Sequence, residues 1–217
     1  MSDDPETARQ IAELAKDTRP LLVLDVDEVV LEFVGPFMAF LNDAGYELKV
    51  DSFRLHGNVV SANTGEVTER ETVSALLNGF FEAQESWQTA ATGAAETVED
   101  LAEDAEIVML TAMPHQFRDA RRRLLDRTGF RYPLLTTQTA KGPAIEQLRG
   151  KTPRPVTFID DIPHNLISVQ RSVPDAGLIH LMAHEGMRAL LPPMDMTIDV
   201  ANSWIHAGDL IRKHLSL

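Results

Sequence analysis

Four short apolar runs govern what this chain can become: LLVLDV at 21–26, EIVMLT at 106–111, YPLLTT at 132–137 and VTFID at 156–160. Each is continuous rather than alternating, the pattern of strands covered on both faces, and helix-period segments separate them. GLIHLMA at 177–183 reads as a fifth. Several of the runs lead into a polar residue, then a proline (Pro114, Pro143, Pro163), then an amphipathic stretch. Proline is cheap at a first helical position because its missing N–H has no partner there anyway, so each unit reads as strand, functional turn, helix. The expectation is a doubly wound, Rossmann-like α/β sheet of about five parallel strands, with ligands bound at the strands' carboxyl ends.

One interval breaks that rhythm. About 80 residues separate the first run from the second, far more than a crossover helix needs. Within it, Phe33, Phe37, Phe40, Leu41 and Ala44 suggest one helix. Thr68 and Glu71 form a capping-box pattern ahead of Val73, Leu76, Leu77, Phe80 and Phe81. The turn-rich stretch between them has too little periodicity to assign. The expected organisation is a core domain of residues 1–32 and 96–217 with a small, mainly helical cap at 33–95.

Charge and composition exclude several classes. A net charge of −13 argues against broad nucleic-acid or anionic-membrane binding, which need a cationic surface. The chain has no cysteine, so disulfides and thiolate metal sites are excluded. The acidic start MSDDPETARQ is unlike a signal peptide, and no run approaches a membrane span, so a cytoplasmic location is expected. Oligomeric state is not readable, and the N-terminal helix, with Ile11, Leu14 and Ala15, packs either on the sheet or on a neighbour.

The strand ends carry the chemistry. Asp25 and Asp27, two apart at the end of the first run, direct their carboxylates to one face while the chain stays extended. Alone they are equally an acidic strand end or a calcium-type ligand pair. Thr111 and the N–H of Ala112 end the second strand, where phosphoryl oxygens or a simple helix N-cap would suit them. Lys141, beside Gly142, is either a site cation or a solvated surface lysine. Asp160 and Asp161 close the fourth run, and only one of them is needed as an N-cap. Together these ends supply carboxylates, a hydroxyl and an ammonium, the set that metal-assisted phosphoryl transfer requires.

In this combination the sequence resembles the haloacid dehalogenase superfamily over residues from about 21 to 183. Asp25-Val26-Asp27-Glu28-Val29 matches its DxDx(T/V) motif, and Thr111, Lys141 with Gly142, and IDDIPHN match the others in order. The resemblance implies a phosphoric monoester hydrolase acting on a small phosphorylated substrate, with Asp25 as nucleophile and Asp27 as acid and base. It implies Mg²⁺ held by Asp25, the Asp27 carbonyl and Asp161, with Asp160 a further ligand or a support. Thr111, Ala112 and Lys141 would hold the phosphoryl group. Asp27 speaks against dehalogenation, whose practitioners in the family lack it. Asn165 stands where the fourth motif often has a second aspartate.

The insertion lies where the family places a lid, making Arg54, His56, Asn58 and Arg70 candidates for substrate contact, with His115 beside Thr111 a further one. Arg118, Arg121, Arg122 and Arg123 are expected on the exposed face of their helix, and His180 and His184 in core or site. A non-catalytic phosphate- or partner-binding module and a phosphotransferase or mutase remain the alternatives.

Overall fold

A computed structural model describes residues 4–50, 55–151, 154–188, 190 and 195–217. In chain order the elements are α1 (Pro5–Ala12), β1 (Leu21–Leu24), α2 (Val34–Asp43), β2 (Tyr46–Leu48), β3 (Val59–Ser61), α3 (Arg70–Trp87), α4 (Ala94–Leu101) and β4 (Glu106–Thr111). Then come α5 (Arg118–Arg127), β5 (Leu134–Thr136), α6 (Lys141–Arg149), β6 (Val156–Asp160), α7 (Pro163–Ser172), β7 (Gly177–Leu181), α8 (Glu185–Arg188), β8 (Asp199–Ala201) and α9 (Trp204–Leu215).

Six parallel strands form one sheet in the order β5-β4-β1-β6-β7-β8. β1 is central because all four of its residues are apolar and fully buried, each such side chain contributing about 1.5–3 kcal/mol. Alternate residues feed opposite layers. Leu22 and Leu24 pack with Val98, Leu124 and Ile211 of α4, α5 and α9, whereas Leu21 and Val23 share the other layer with Ile145 and Val169 of α6 and α7. Ile11 and Leu14, in and just beyond α1, join that second layer, so the N-terminal helix packs on this chain's own core. The chain moves to one side of β1 for β4 and β5 and to the other for β6 to β8, so the topological switch lies beside β1.

The expected sheet gains a strand. β8 reads Asp-Val-Ala, three residues at an edge, too short and polar to register as a buried run. The prolines also differ in role: Pro163 occupies the first turn's start in α7, Pro143 falls within α6, and Pro114 precedes a short 3-10 turn over His115–Phe117. The interval between β1 and β4 holds α2, α3, α4 and an antiparallel β2–β3 hairpin, whose second strand lies in the stretch that periodicity left unassigned. α3 begins one residue later than a Thr68 capping box requires, with Glu69 at its N-cap and no side-chain cap bond.

Phe37, Leu41, Val73 and Phe80 make the inserted unit's own core, which continues into Met113 and Phe117 beyond β4. Two linkers join this unit to the sheet, and they run side by side. Leu31 pairs with Ala90, Glu32 N–H donates to the Thr89 carbonyl at 2.9 Å, and Ala91 N–H donates to the Val30 carbonyl at 2.9 Å.

Candidate active site

The carboxyl ends of β1, β4 and β6 meet at one cavity of about 220 Å³, whose walls include Asp25, Asp27, Thr111, Ala112, Asp161 and Asn165. Lys141 lies beneath it. Its Nζ is 2.6 Å from Asp25 Oδ1 and 2.7 Å from Asp160 Oδ2, and all three side chains are buried. Lys141 is the first residue of α6, and the glycine beside it explains how the ammonium gets there. A Cβ at Gly142 would collide with the Ser168 carbonyl, so only glycine lets α6 approach α7 this closely.

Asp160 is fully engaged. Its Oδ1 accepts from Ile162 N–H at 2.8 Å and Asn165 Nδ2 at 3.0 Å, while Oδ2 takes Lys141 and a second Asn165 contact at 3.1 Å. Asn165 therefore steadies the carboxylate that holds the lysine. Asp161 is turned instead toward the cavity, and the His180 ring holds its carbonyl at 2.7 Å. That imidazole is buried, which depresses its proton affinity against the opposing pull of the Asp161 carbonyl.

Charge in this dry setting is unbalanced. Burial pushes the Asp25 carboxyl up to about 7 despite the neighbouring ammonium. Burial, then the nearby Asp160 and Asp25 carboxylates, push Asp161 well above the ordinary range. Burial opposes the charge on Lys141, yet Asp160 and Asp25 more than offset it and hold the ammonium above its usual value. Asp25, Asp160 and Asp161 can each present an oxygen within 4.8 Å of the others. Three carboxylates around one ammonium leave a deficit that a hard cation would fill, and an all-oxygen donor set fits magnesium.

Asp27 is held differently. Its Oδ1 accepts from Arg121 Nη1 at 2.7 Å and from Gln88 Nε2 at 2.8 Å. Gln88 also donates to the Glu32 carbonyl at 3.0 Å, so one amide spans both linkers and the Asp27 carboxylate. Arg121, expected on an exposed helix face, is fully buried, with Cζ 5.9 Å from the Phe81 ring centroid. An arginine among other arginines on α5 reads as solvated; the partner that draws it inward lies 94 residues away.

Known structures share this architecture. A haloacid dehalogenase-like hydrolase from Streptococcus pneumoniae superposes with a TM-score of 0.58 at 9% identity, over 89% of this chain and 99% of that one. A HAD family hydrolase from Deinococcus radiodurans, solved with bound phosphate and sodium, gives 0.58 at 16% identity, over 91% and 97%. A predicted phosphoglycolate phosphatase from Haemophilus somnus gives 0.60 at 13% identity, over 92% and 99%. The fold is haloacid dehalogenase-like. No protein-family profile and no curated protein sequence matches the chain.

Within this haloacid dehalogenase-like fold, several expected substrate contacts lie elsewhere. His115 places Nδ1 2.6 Å from Thr136 Oγ1 and Nε2 3.1 Å from Asp4 Oδ2, with Asp4 capping α1. Its ring clamps the N-terminal helix and is not on the cavity wall. His56 is exposed, 3.3 Å from Ser74 Oγ, and also away from the wall. Arg54 lies outside the described residues. The wall above the acidic floor is instead Phe33, Leu55, Leu77, Phe81, Met113 and Ile162. Periodicity marks Phe33, Leu77 and Phe81 as core, and nothing in the sequence separates a side chain that lines a cavity from one that fills an interior.

Glu28 is the other unforeseen residue. It adopts φ 63°, a left-handed conformation unfavourable for a side chain with a Cβ. Three N–H groups offset the strain: its buried carboxylate accepts from Phe33 at 2.9 Å and Val34 at 2.7 Å at the start of α2, and from His184 at 2.8 Å.

Proposed function

We propose that this protein is a magnesium-dependent phosphatase that hydrolyses a small phosphomonoester through an aspartyl-phosphate on Asp25. The observation that carries the reading is the Lys141 ammonium bridging Asp25 and Asp160 on the floor of a cavity that Asp27, Thr111 and Asp161 also line. Solved proteins of this fold include hydrolases, one of them with phosphate bound, and a predicted phosphoglycolate phosphatase.

An oxygen of Asp25 attacks phosphorus as the ester oxygen departs on the opposite side, and Asp27 supplies the proton that the departing oxygen takes up. Asp27 then accepts a proton from water as that water attacks the aspartyl-phosphate, releasing phosphate and restoring Asp25. Arg121 and Gln88 occupy Asp27 Oδ1, which leaves Oδ2 for these transfers. Lys141 spends two of its three N–H donors on carboxylates, and the third, with Thr111 and the Ala112 N–H, serves the phosphoryl oxygens. Asp25, the Asp27 carbonyl and Asp161 would hold magnesium, which supplies charge neutralisation for the incoming dianion. Asp160, occupied by Lys141 and Asn165, is the support rather than a ligand.

The test is phosphate release from a panel of monoesters by wild type and Asp25→Asn, with and without magnesium, alongside mass spectrometry for a phosphorylated Asp25 peptide. Metal-dependent turnover lost in the variant is expected. Turnover that survives in Asp25→Asn would overturn the covalent route. A second reading, transfer of the phosphoryl group to another hydroxyl, is favoured by one structure of this fold, protein tyrosine kinase A from Mycobacterium tuberculosis, with a TM-score of 0.59 at 14% identity. Phosphate appearing on an added alcohol rather than in solution would select it.

A further inference from the structure

Resting on the phosphatase reading, we infer that the alcohol released from the substrate is apolar, a compact alkyl or aryl group rather than a polyol or a carboxylate. The polar groups of the cavity lie on its floor and are used there. Above them the wall is Phe33, Leu55, Leu77, Phe81, Met113 and Ile162. A second cavity of about 160 Å³ adjoins the first, since Glu28, Phe33, Leu55, Asp161 and Ile162 line both. Its further walls are Val34, Leu48, Val50, Met182 and Met187, with Lys49 as the one cationic side chain on the described walls. Lys49 pairs with Glu47 at 2.8 Å.

Apart from Asp161, which the proposed metal takes, two polar neighbours on this path are already engaged. The Glu28 carboxylate faces three backbone N–H groups, and both contacts of the Asn165 amide go to Asp160. Hydroxyls or a carboxylate entering here would lose water and find few partners among the described residues, whereas apolar atoms would bury surface against rings held in place by their neighbours. Phe33 lies 5.4 Å from both the Phe37 and Phe80 ring centroids, and Phe81 lies 5.6 Å from Phe117. The two aromatic members of the wall are thus packed in place before any ligand enters.

Binding of non-hydrolysable phosphonates to the full chain with magnesium, followed by calorimetry, separates this inference from the reading beneath it. n-Butylphosphonate is expected to bind roughly 10- to 100-fold more tightly than 3,4-dihydroxybutylphosphonate, a neutral polar analogue of similar length, and than phosphonoacetate. Half-buried Leu77 offers a variant that spares the core: Leu77→Lys, checked for native circular dichroism, is expected to shrink that ratio and to favour phosphonoacetate. Inorganic phosphate that binds while the diol or phosphonoacetate equals or exceeds n-butylphosphonate overturns the apolar leaving group alone. Failure of phosphate and every phosphonate to bind overturns the phosphatase reading and this inference together.

Discussion

On the sheet side of the cavity, Asp25, Lys141, Asp160 and Asp161 crowd three carboxylates and one ammonium into a buried cluster; on the inserted side, Phe33, Leu77 and Phe81 present hydrocarbon. The floor depends on the identity and position of each atom, because in a low-dielectric site one missing charge strands its partners. The roof depends on bulk and shape, which several residues share. Arg121 and Gln88 join the two regimes, since they reach from α5 and the returning linker to a single oxygen of Asp27.

This contrast predicts a gradient of mutational effects. Asp25→Asn is expected to reduce phosphate release by roughly four orders of magnitude while leaving the folded signal intact, as removal of a nucleophile does. Lys141→Met leaves Asp25 and Asp160 buried without their shared cation, and urea denaturation is expected to show a loss of about 3–5 kcal/mol. Were that variant as stable as wild type, the floor would not be the dry, charge-coupled cluster described. Arg121→Leu removes one of the two donors to Asp27 Oδ1, and kcat is expected to fall by roughly 10- to 100-fold from misplacement of the carboxylate, with Arg121→Lys recovering part of it. At the gentle end, Leu77→Ala on the roof is expected to cost about 1 kcal/mol or less in the same urea measurement.

The floor also predicts a pH signature for metal-free protein. Asp25 is raised from its ordinary value to about 7, so the folded state holds a proton that the unfolded chain has released. Stability from this group is fully present below about pH 4, the unfolded value, and is lost as pH rises through about 7. Asparagine does not titrate. The melting temperature of Asp25→Asn minus that of wild type, both in a chelator, is therefore expected to rise across this window, and a flat difference would show that Asp25 is not buried in an acidic cluster.

The same contrast explains what the sequence revealed. Four strand-end groups were legible because their residue types are unusual at the close of apolar runs, and the central strands because continuous Leu, Val and Ile admit few other readings. β8 escaped because three residues at an edge carry no pattern. Arg121 escaped because its burial depends on an ion pair across 94 positions, which local periodicity does not contain. The cavity wall was hidden for a related reason: Phe33 and Phe81 obey the same helical spacing whether they face protein or a ligand. His115 was misplaced because adjacency in sequence to Thr111 says nothing of ring direction, and Asp4 and Thr136 lie closer to hand.

The paired linkers tie the inserted unit to the floor of the cavity through one side chain. Gln88 belongs to the strand returning from the inserted unit, yet one of its two donated bonds ends on Asp27 and the other on the outgoing strand at Glu32. A displacement that carried Gln88 away from β1 would withdraw a donor from the acid and base of the proposed reaction. The inserted unit and the carboxylate proposed as acid and base are thus tied through one side chain, so a change at Gln88 reaches both.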